Sequence, residues 1–121
     1  MNLPLIVSAM RHTTVGTIEY DRAKAYPGVT IITPLHGNAT YLIGMKGEVL
    51  HQWKHPSKPG NYAYMLPTGN LLWSGEVEDG PSPGGGKGGL LRELEWDGTI
   101  VWEYRDNGQH HDFRRLKNGN T

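Results

Sequence analysis

The sequence predicts an all-β fold built from short antiparallel strands, and three observations support this prediction. First, 17 glycines and 8 prolines in 121 residues fall between short runs of β-branched and aromatic residues, which is typical of strands and turns rather than helices. Second, four glycine-containing turns each follow one such run. Third, two segments recur in the same order about 50 residues further along the chain, as expected of a repeat protein.

The strands are expected wherever apolar and β-branched residues cluster between turns. In chain order they are Val29–Thr33, Ala39–Met45, Val49–Trp53, Tyr62–Leu66, Leu71–Ser74, Leu90–Trp96, Thr99–Tyr104 and Asp112–Leu116. The one weak helix candidate is Tyr20–Ala25, which Pro27 and Gly28 would end. Its short length leaves the all-β prediction unchanged.

Glycine at a position that requires positive φ is the signal of a tight hairpin. Four dipeptides carry this signal, and they predict two-residue hairpin loops at Lys46-Gly47, Thr68-Gly69, Asp97-Gly98 and Asn118-Gly119.

The recurring segments define the expected architecture. The residue pairs 51 apart are Gly47 and Gly98, Val49 and Ile100, Leu50 and Val101, and Trp53 and Tyr104; those 50 apart are Leu66 and Leu116, Gly69 and Gly119, and Asn70 and Asn120. A period near 50 residues with about four strands is typical of β-propeller blades. The alternative is a β-sandwich whose hairpins match by coincidence.

The prediction is therefore about two four-stranded antiparallel blades of a β-propeller, incomplete at the C-terminus. A lead-in segment is expected at residues 1–27, followed by a partial propeller at 28–121 with blade-like repeats near 28–75 and 76–121. Two blades do not close a ring, so the chain is expected to be a fragment. It could also associate with another copy through an open sheet edge.

Composition excludes several classes of partner. The chain has 12 basic and 12 acidic residues, no net charge and a pI near 7, which argues against nucleic acid or an anionic membrane as the main partner. It has no cysteine, so disulfides and thiolate metal sites are excluded. Residues 1–10 are apolar but lack a basic start and are short for a signal peptide. No stretch is long enough to span a membrane.

The ionisable residues that could carry chemistry cluster near the C-terminus. His110 and His111, followed by Asp112, are the candidate catalytic residues, because a neutral imidazole acts as a base or nucleophile near neutral pH. Adjacent residues of a strand point to opposite faces, so only one of the two histidines is expected to face a given site. His111 occupies the repeat position of Asn61. The alternative is an exposed, hydrogen-bonded loop histidine.

Three further residues are candidates for substrate binding. The guanidinium of Arg114 suits sulfate, phosphate or carboxylate. His36 lies at the end of a predicted strand, and Tyr62 is a candidate to face an aromatic ligand. No His-x-x-x-His pair is present, so no metal site is assigned, although His110, His111 and Asp112 give a weak signal for metal binding. The loop Gly84–Gly89 lacks the Ser or Thr and the helix of a phosphate-binding loop, and is expected to connect strands or to cover a ligand site.

These residues together resemble a known family. The chain is similar to the N-terminal part of the bacterial arylsulfotransferase (aryl-sulfate sulfotransferase) propeller, from about Gly16 to the end. The residues that carry the resemblance are Ala25–Ile32, Ala39–Trp53, Met65–Leu72, Leu91–Gly98, His110–Asp112 and Asn118–Asn120.

The resemblance implies a six-bladed propeller enzyme that transfers a sulfuryl group from an aryl sulfate to a phenol through a histidine, without a cofactor. It implies that His111, or else His110, binds sulfate, while the nucleophilic histidine and a partner arginine lie in later blades. This chain by itself is therefore expected to lack the complete site. A periplasmic or secreted location is also implied. Two alternatives remain: a non-catalytic module that binds a partner through its open edge, and another lyase or hydrolase on the same scaffold.

Overall fold

The computed structural model describes residues 16–81 and 84–121. Its strands are β1 (Thr30–Ile32), β2 (Ala39–Ile43), β3 (Val49–Lys54), β4 (Pro59–Met65), β5 (Leu71–Glu76), β6 (Gly89–Leu94) and β7 (Ile100–Arg105). They form a three-stranded antiparallel sheet in the order β1-β2-β3 and a four-stranded antiparallel sheet in the order β4-β5-β6-β7. Neither sheet closes on itself. The described residues contain no helix, so the all-β prediction is confirmed.

The weak helix predicted at Tyr20–Ala25 is wrong. The segment forms one isolated turn, in which the N–H groups of Lys24 and Ala25 both donate to the carbonyl of Asp21, at 3.1 and 2.9 Å. A single turn gains too few hydrogen bonds to offset helix nucleation, and Pro27 follows directly. Within residues 16–81 and 84–121, no helix is long and apolar enough to cross a membrane.

The strand predicted at Asp112–Leu116 is also wrong, because side chains take its backbone donors. The N–H of Phe113 donates to the Asp112 carboxylate at 2.6 Å, and the N–H of Arg115 donates to the Tyr64 hydroxyl at 2.7 Å. These bonds to side chains take the place of the backbone hydrogen bonds to a neighbouring strand that a β-strand would need. The segment nevertheless ends in the expected turn.

All four predicted turns exist, but each loop has three residues rather than two. In every case the first residue donates its N–H to the carbonyl four positions later and accepts the N–H of a glycine three positions later, at 2.7–3.0 Å. The glycines are Gly47, Gly69, Gly98 and Gly119, with φ between 81° and 90°. A type I turn followed by a left-handed glycine matches the twist of paired strands as well as the two-residue turn does.

The main core lies between the two sheets. Leu42 and Trp53 from the first sheet pack with Leu71, Trp73 and Leu90 of the second, and all five side chains are at most 7% exposed. Burial of such large apolar groups is the dominant stabilising contribution. The two sheets therefore share one core.

A second, smaller core lies on the other face of the four-stranded sheet. Leu66, Leu72 and Leu91 pack against Phe113, with the rings of Tyr62, Tyr64 and Trp102 partly buried around them. Phe113 belongs to the C-terminal segment, which crosses this face without joining the sheet. This segment carries most of the candidate site residues.

Candidate functional site

The C-terminal segment lies beside β4, and matching positions of the repeat contact each other. The side-chain amide of Asn61 donates to the carbonyl of His111 at 3.1 Å. The hydroxyl of Tyr62 bonds to the Asp112 carboxylate and lies 2.8 Å from the carbonyl of Phe113. These partners are separated by 50 or 51 residues. Residues separated by one repeat period in the sequence are thus also neighbours in the structure.

His111 has a strained backbone. Its φ is 61°, and it is the one non-glycine residue with positive φ in the described part of the chain. The N–H of Asp112 donates to the carbonyl of His110 at 2.9 Å, which closes a γ-turn around His111. Such strain persists only where surrounding contacts hold it, and it concentrates at functional positions.

The glycine-rich loop supplies those contacts. The N–H of His111 donates to the carbonyl of Gly86 at 2.8 Å, and Lys87 forms an isolated bridge with His110. A Cβ on Gly86 would lie 2.6 Å from Cδ2 of His111, so the loop approaches the imidazole closely because it lacks a side chain there. The N–H of Gly89 donates to the side-chain carbonyl of Gln109 at 2.9 Å.

The two histidine side chains are exposed and hydrogen-bonded to each other. Their Nδ1 atoms lie 2.8 Å apart, and their rings are nearly perpendicular, at 83°. The prediction that only one of them faces a given site is wrong, because the segment is not a strand and the turn at His111 brings both rings together. When both rings are neutral, one Nδ1 donates a proton and the other accepts it. The donor ring then carries a lone pair on Nε2, and the acceptor ring carries a proton there. The pair therefore offers one hydrogen-bond acceptor and one donor to a ligand.

Tyr62 and Asp112 hold the segment in place. Burial, followed by the hydrogen bond to Asp112, raises the pKa of the Tyr62 hydroxyl above its ordinary value. The hydrogen bonds from Tyr62 and from the Phe113 N–H lower the pKa of the Asp112 carboxyl. Both pKa shifts favour the state in which the Tyr62 phenol is protonated and the Asp112 carboxylate is ionised. Tyr62 also stacks on Phe113, with 4.8 Å between ring centroids.

The two arginines have different surroundings. Arg114 is exposed, and its guanidinium lies 5.3 Å from the centroid of the Tyr64 ring; no carboxylate in the described residues pairs with it. Arg115 is half-buried, forms a 3.0 Å ion pair with Glu93 and lies over the Trp102 ring. Arg114 therefore presents its charge to solvent, while the charge of Arg115 is neutralised locally.

The structure brings four of the candidate residues to the same segment and leaves one elsewhere. His110, His111 and Arg114 lie on the C-terminal segment, and Tyr62 contacts it from β4. His36 lies exposed in the turn between β1 and β2 and makes no hydrogen bond to the described residues of that segment.

Sequence reasoning missed a buried histidine. His55 is 6% exposed, stacks on Trp73 at 4.1 Å, and its Nε2 lies 2.9 Å from the Thr40 hydroxyl. Burial, with a smaller contribution from the Arg92 guanidinium, lowers the pKa of His55 to about 4. It is a neutral core residue near pH 7. The only sequence signal for this histidine was its position two residues after Trp53, just beyond the predicted strand Val49–Trp53.

Comparison with known proteins adds no assignment. Among residues 16–81 and 84–121, no group of three or more His, Cys, Asp or Glu side chains could hold a metal ion. No family model, no curated protein and no solved structure matches this chain.

Proposed function

We propose that the two sheets are successive parts of a β-propeller and that the C-terminal segment begins the next blade. The four-stranded sheet has the strand number and antiparallel order of a blade. Repeat-equivalent residues lie side by side at a separation of 50 residues, Asn61 with His111 and Tyr62 with Asp112, which is what a ring of equal units requires. The first sheet packs on one face of the second, and the C-terminal segment packs on the other.

On this scaffold the protein acts as part of an arylsulfotransferase-like enzyme, in which His110 and His111 bind the sulfuryl group of an aryl sulfate. The observation that carries the proposal is the exposed, hydrogen-bonded histidine pair held in a strained turn, with the exposed Arg114 three residues further along the same segment. A preorganised hydrogen-bond donor and a solvent-facing cation suit an anion whose charge is spread over several oxygens. The strained turn fixes the histidine pair before any ligand arrives.

The reaction divides into two balanced steps. In the first, a nitrogen of the nucleophilic histidine, which the resemblance places in a later blade, forms a bond to sulfur, the ester S–O bond breaks, and the phenolate leaves and takes up a proton from water. In the second, the oxygen of an acceptor phenol bonds to sulfur, the S–N bond breaks, and the acceptor gives its proton to water. His110, His111 and Arg114 stabilise the negative charge on the sulfuryl oxygens in both steps.

The test is binding of 4-nitrophenyl sulfate, followed by NMR of the histidine side chains. We expect the imidazole signals of His110 and His111 to shift and saturate, and 4-nitrophenol, which lacks the sulfuryl group, to leave them in place. His111→Ala should weaken binding about tenfold or more, as expected for loss of charge-assisted hydrogen bonds. Sulfuryl transfer to phenol is measured in parallel on the same samples.

Two further variants separate a specific site from general electrostatic attraction. Lys117→Ala removes an exposed cation from the neighbouring turn and should leave the affinity unchanged. His36→Ala decides whether that histidine belongs to the site, and the geometry predicts no effect. Equal binding of sulfate ester and phenol, or an unaltered affinity in His111→Ala, would contradict the proposal.

A second candidate function is a non-catalytic module that binds a partner. It is favoured by apolar pairs that lie exposed on two strands at the rims of their sheets, Val49 and Leu50 on β3 and Ile100 and Val101 on β7, each 48–59% exposed. Sheet edges of this kind accept other strands. The histidine segment is equally compatible with another lyase or hydrolase, which the sulfate ester assay distinguishes.

A further inference from the structure

Two hairpins of this molecule are equivalent in detail. The β2–β3 and β6–β7 hairpins share the same three-residue turn, and the register of each shifts opposite Leu42/Ile43 and Glu93/Leu94, which leaves one extra residue on the second strand, Leu50 on β3 and Val101 on β7. The second strands therefore match residue by residue. His51 and Trp53 on β3 correspond to Trp102 and Tyr104 on β7.

On β3, the side chains of His51 and Trp53 bind the turn of the β6–β7 hairpin. The Nε2 of His51 lies 2.7 Å from the carbonyl of Trp96, and the indole N–H of Trp53 donates to the carbonyl of Glu95 at 3.0 Å. His51 also stacks on the Trp96 ring, with 4.0 Å between centroids. Two ring nitrogens thus bind two successive carbonyls, and a flat side chain lies between the sheets. This arrangement is part of the interface that joins the two sheets.

On β7, the equivalent rings face an open groove of about 420 Å³. Trp102 is half-buried and Tyr104 is 47% exposed, and Leu91 and Phe113 form the apolar floor. The indole N–H of Trp102 donates to no acceptor within the described residues. The hydroxyl of Tyr104 has one long contact, 3.4 Å to the carboxylate of Asp106. Trp102 and Tyr104 therefore place two hydrogen-bond donors without strong acceptors at the positions where His51 and Trp53 of β3 bind two carbonyls.

We propose that Trp102 and Tyr104 form a docking surface for a further β-hairpin of the β6–β7 kind. The partner has a three-residue glycine turn, a flat side chain at the position of Trp96, and free carbonyls at the positions of Glu95 and Trp96. Continuity with the interface between the two sheets supports this choice, because the same strand positions already bind such a turn once. The flat side chain enters the groove beside Phe113, and the indole N–H of Trp102 gains a carbonyl acceptor.

A second copy of this chain fits the surface less well. Its β2–β3 hairpin is the equivalent element, but the hydroxyl of Thr17 donates to the carbonyl of Met45 at 3.0 Å. Met45 corresponds to Trp96, so residue 17 already occupies the carbonyl that His51 binds on the other hairpin. The β6–β7 hairpin of a second copy is likewise covered by its own first sheet. The occupant that this surface fits is therefore a separate hairpin.

The probe is a cyclic peptide with the sequence of residues 90–104, closed by a disulfide between cysteines added at its ends. Its ends lie side by side because Leu91 pairs with Tyr104. The peptide carries W102T and Y104T, so that only the protein supplies the docking pair. Binding is followed in a ¹⁵N-labelled protein through the four indole N–H signals, and W102F identifies the signal of Trp102.

We expect the Trp102 indole signal to shift downfield and saturate, as a new hydrogen bond to a carbonyl requires. The Trp53 signal should stay in place, because its N–H is already bound. Tyr104→Ala in the protein should weaken binding about tenfold, and W96G in the peptide should do the same. Glu103→Gln is the matched control, because residue 103 alternates with 102 and 104 along β7 and faces the other side.

Three outcomes would overturn the inference. One is the absence of any shift of the Trp102 signal at ~1 mM peptide, because binding weaker than this is too weak for a specific docking surface. Another is movement of the Trp53 signal instead, which would mean that the peptide displaces the first sheet. The third is self-association of the protein that Tyr104→Ala abolishes and the peptide does not inhibit, which would assign the surface to a second copy. None of these readouts depends on sulfuryl transfer, so this inference and the proposed function fail separately.

Discussion

The two faces of the four-stranded sheet differ in how they are covered. One face packs against a complete second sheet, and Trp73, Leu71 and Leu90 on that side are at most 2% exposed. The other face is crossed by the C-terminal segment, which buries Phe113 but leaves Tyr104 47% exposed beside an open groove. The same strands therefore support a closed core on one side and an accessible surface on the other.

The difference shows where stability and function are located in this molecule. The covered face holds its histidine, His55, neutral and buried against Trp73. The open face holds His110 and His111 in a turn fixed by side-chain hydrogen bonds and by the glycine-rich loop. Local stability is lowest where fewest apolar groups are buried, so the open face can accept ligands at little cost to the fold.

The largest expected effect compares one aromatic side chain from each face. Trp73→Ala removes a fully buried ring between the sheets and should lower the free energy of unfolding by about 3–5 kcal/mol. Phe113→Ala should lower it by about 2 kcal/mol, because the segment over it can collapse or detach without opening the main core. Guanidinium chloride unfolding measures both variants.

Hydrogen exchange of the β5 amides provides the control for this pair. Protection of these amides should fall in Trp73→Ala and persist in Phe113→Ala at low denaturant. Equal losses of stability in the two variants would show that the two faces unfold as one unit and would remove the contrast.

The next effect is a pH dependence that comes from the buried histidine of the covered face. The folded pKa of His55 is lowered from 6.5 to about 4, so the unfolded chain takes up a proton first as the pH falls. The free energy of unfolding should be unaffected by His55 above pH ~6.5 and should fall between pH ~6.5 and ~4, by on the order of 2–3 kcal/mol in total.

His55→Gln removes this titration and should flatten the curve of unfolding free energy against pH in that interval. His36→Ala is the control, because that histidine lies exposed in a turn, and the slope should survive in it. A slope that persists in His55→Gln would assign the pH dependence to other groups.

The smallest effect concerns the open face and uses two neighbouring glycines. Gly86 has φ of 69°, and an added Cβ would contact the His111 ring. Gly86→Ala should therefore lower the free energy of unfolding by about 1–2 kcal/mol, as expected for a left-handed non-glycine residue, and should shift the imidazole signal of His111.

Gly85→Ala is the matched control, since nothing lies within 4 Å of its added Cβ and its φ is not in the left-handed region. It should leave stability and the His111 signal unchanged. Equal effects of the two substitutions would mean that the loop does not hold the histidine turn.

The local features of the fold could be predicted from sequence because they depend on nearby residues. Glycine at a left-handed position located all four turns, and runs of β-branched and aromatic residues located β1, β2, β3, β5, β6 and β7 within about two residues at each end. The start of β4, at Pro59, lies three residues before the expected Tyr62. The strand expected at Asp112–Leu116 failed because hydroxyl and carboxylate groups compete for its backbone donors, and no local pattern reveals that competition.

The sequence by itself determined the strand pattern, the glycine turns and the spacing that places Asn61 opposite His111, since each follows from backbone sterics and a repeated pattern. Only the tertiary structure decided which ionisable side chains are paired or buried and which are exposed to solvent. Glu93 pairs with Arg115 rather than Arg114, and His55 is buried while His110 and His111 are exposed. Those outcomes depend on contacts between residues far apart in the chain, where burial and partner geometry set the energy of each charge.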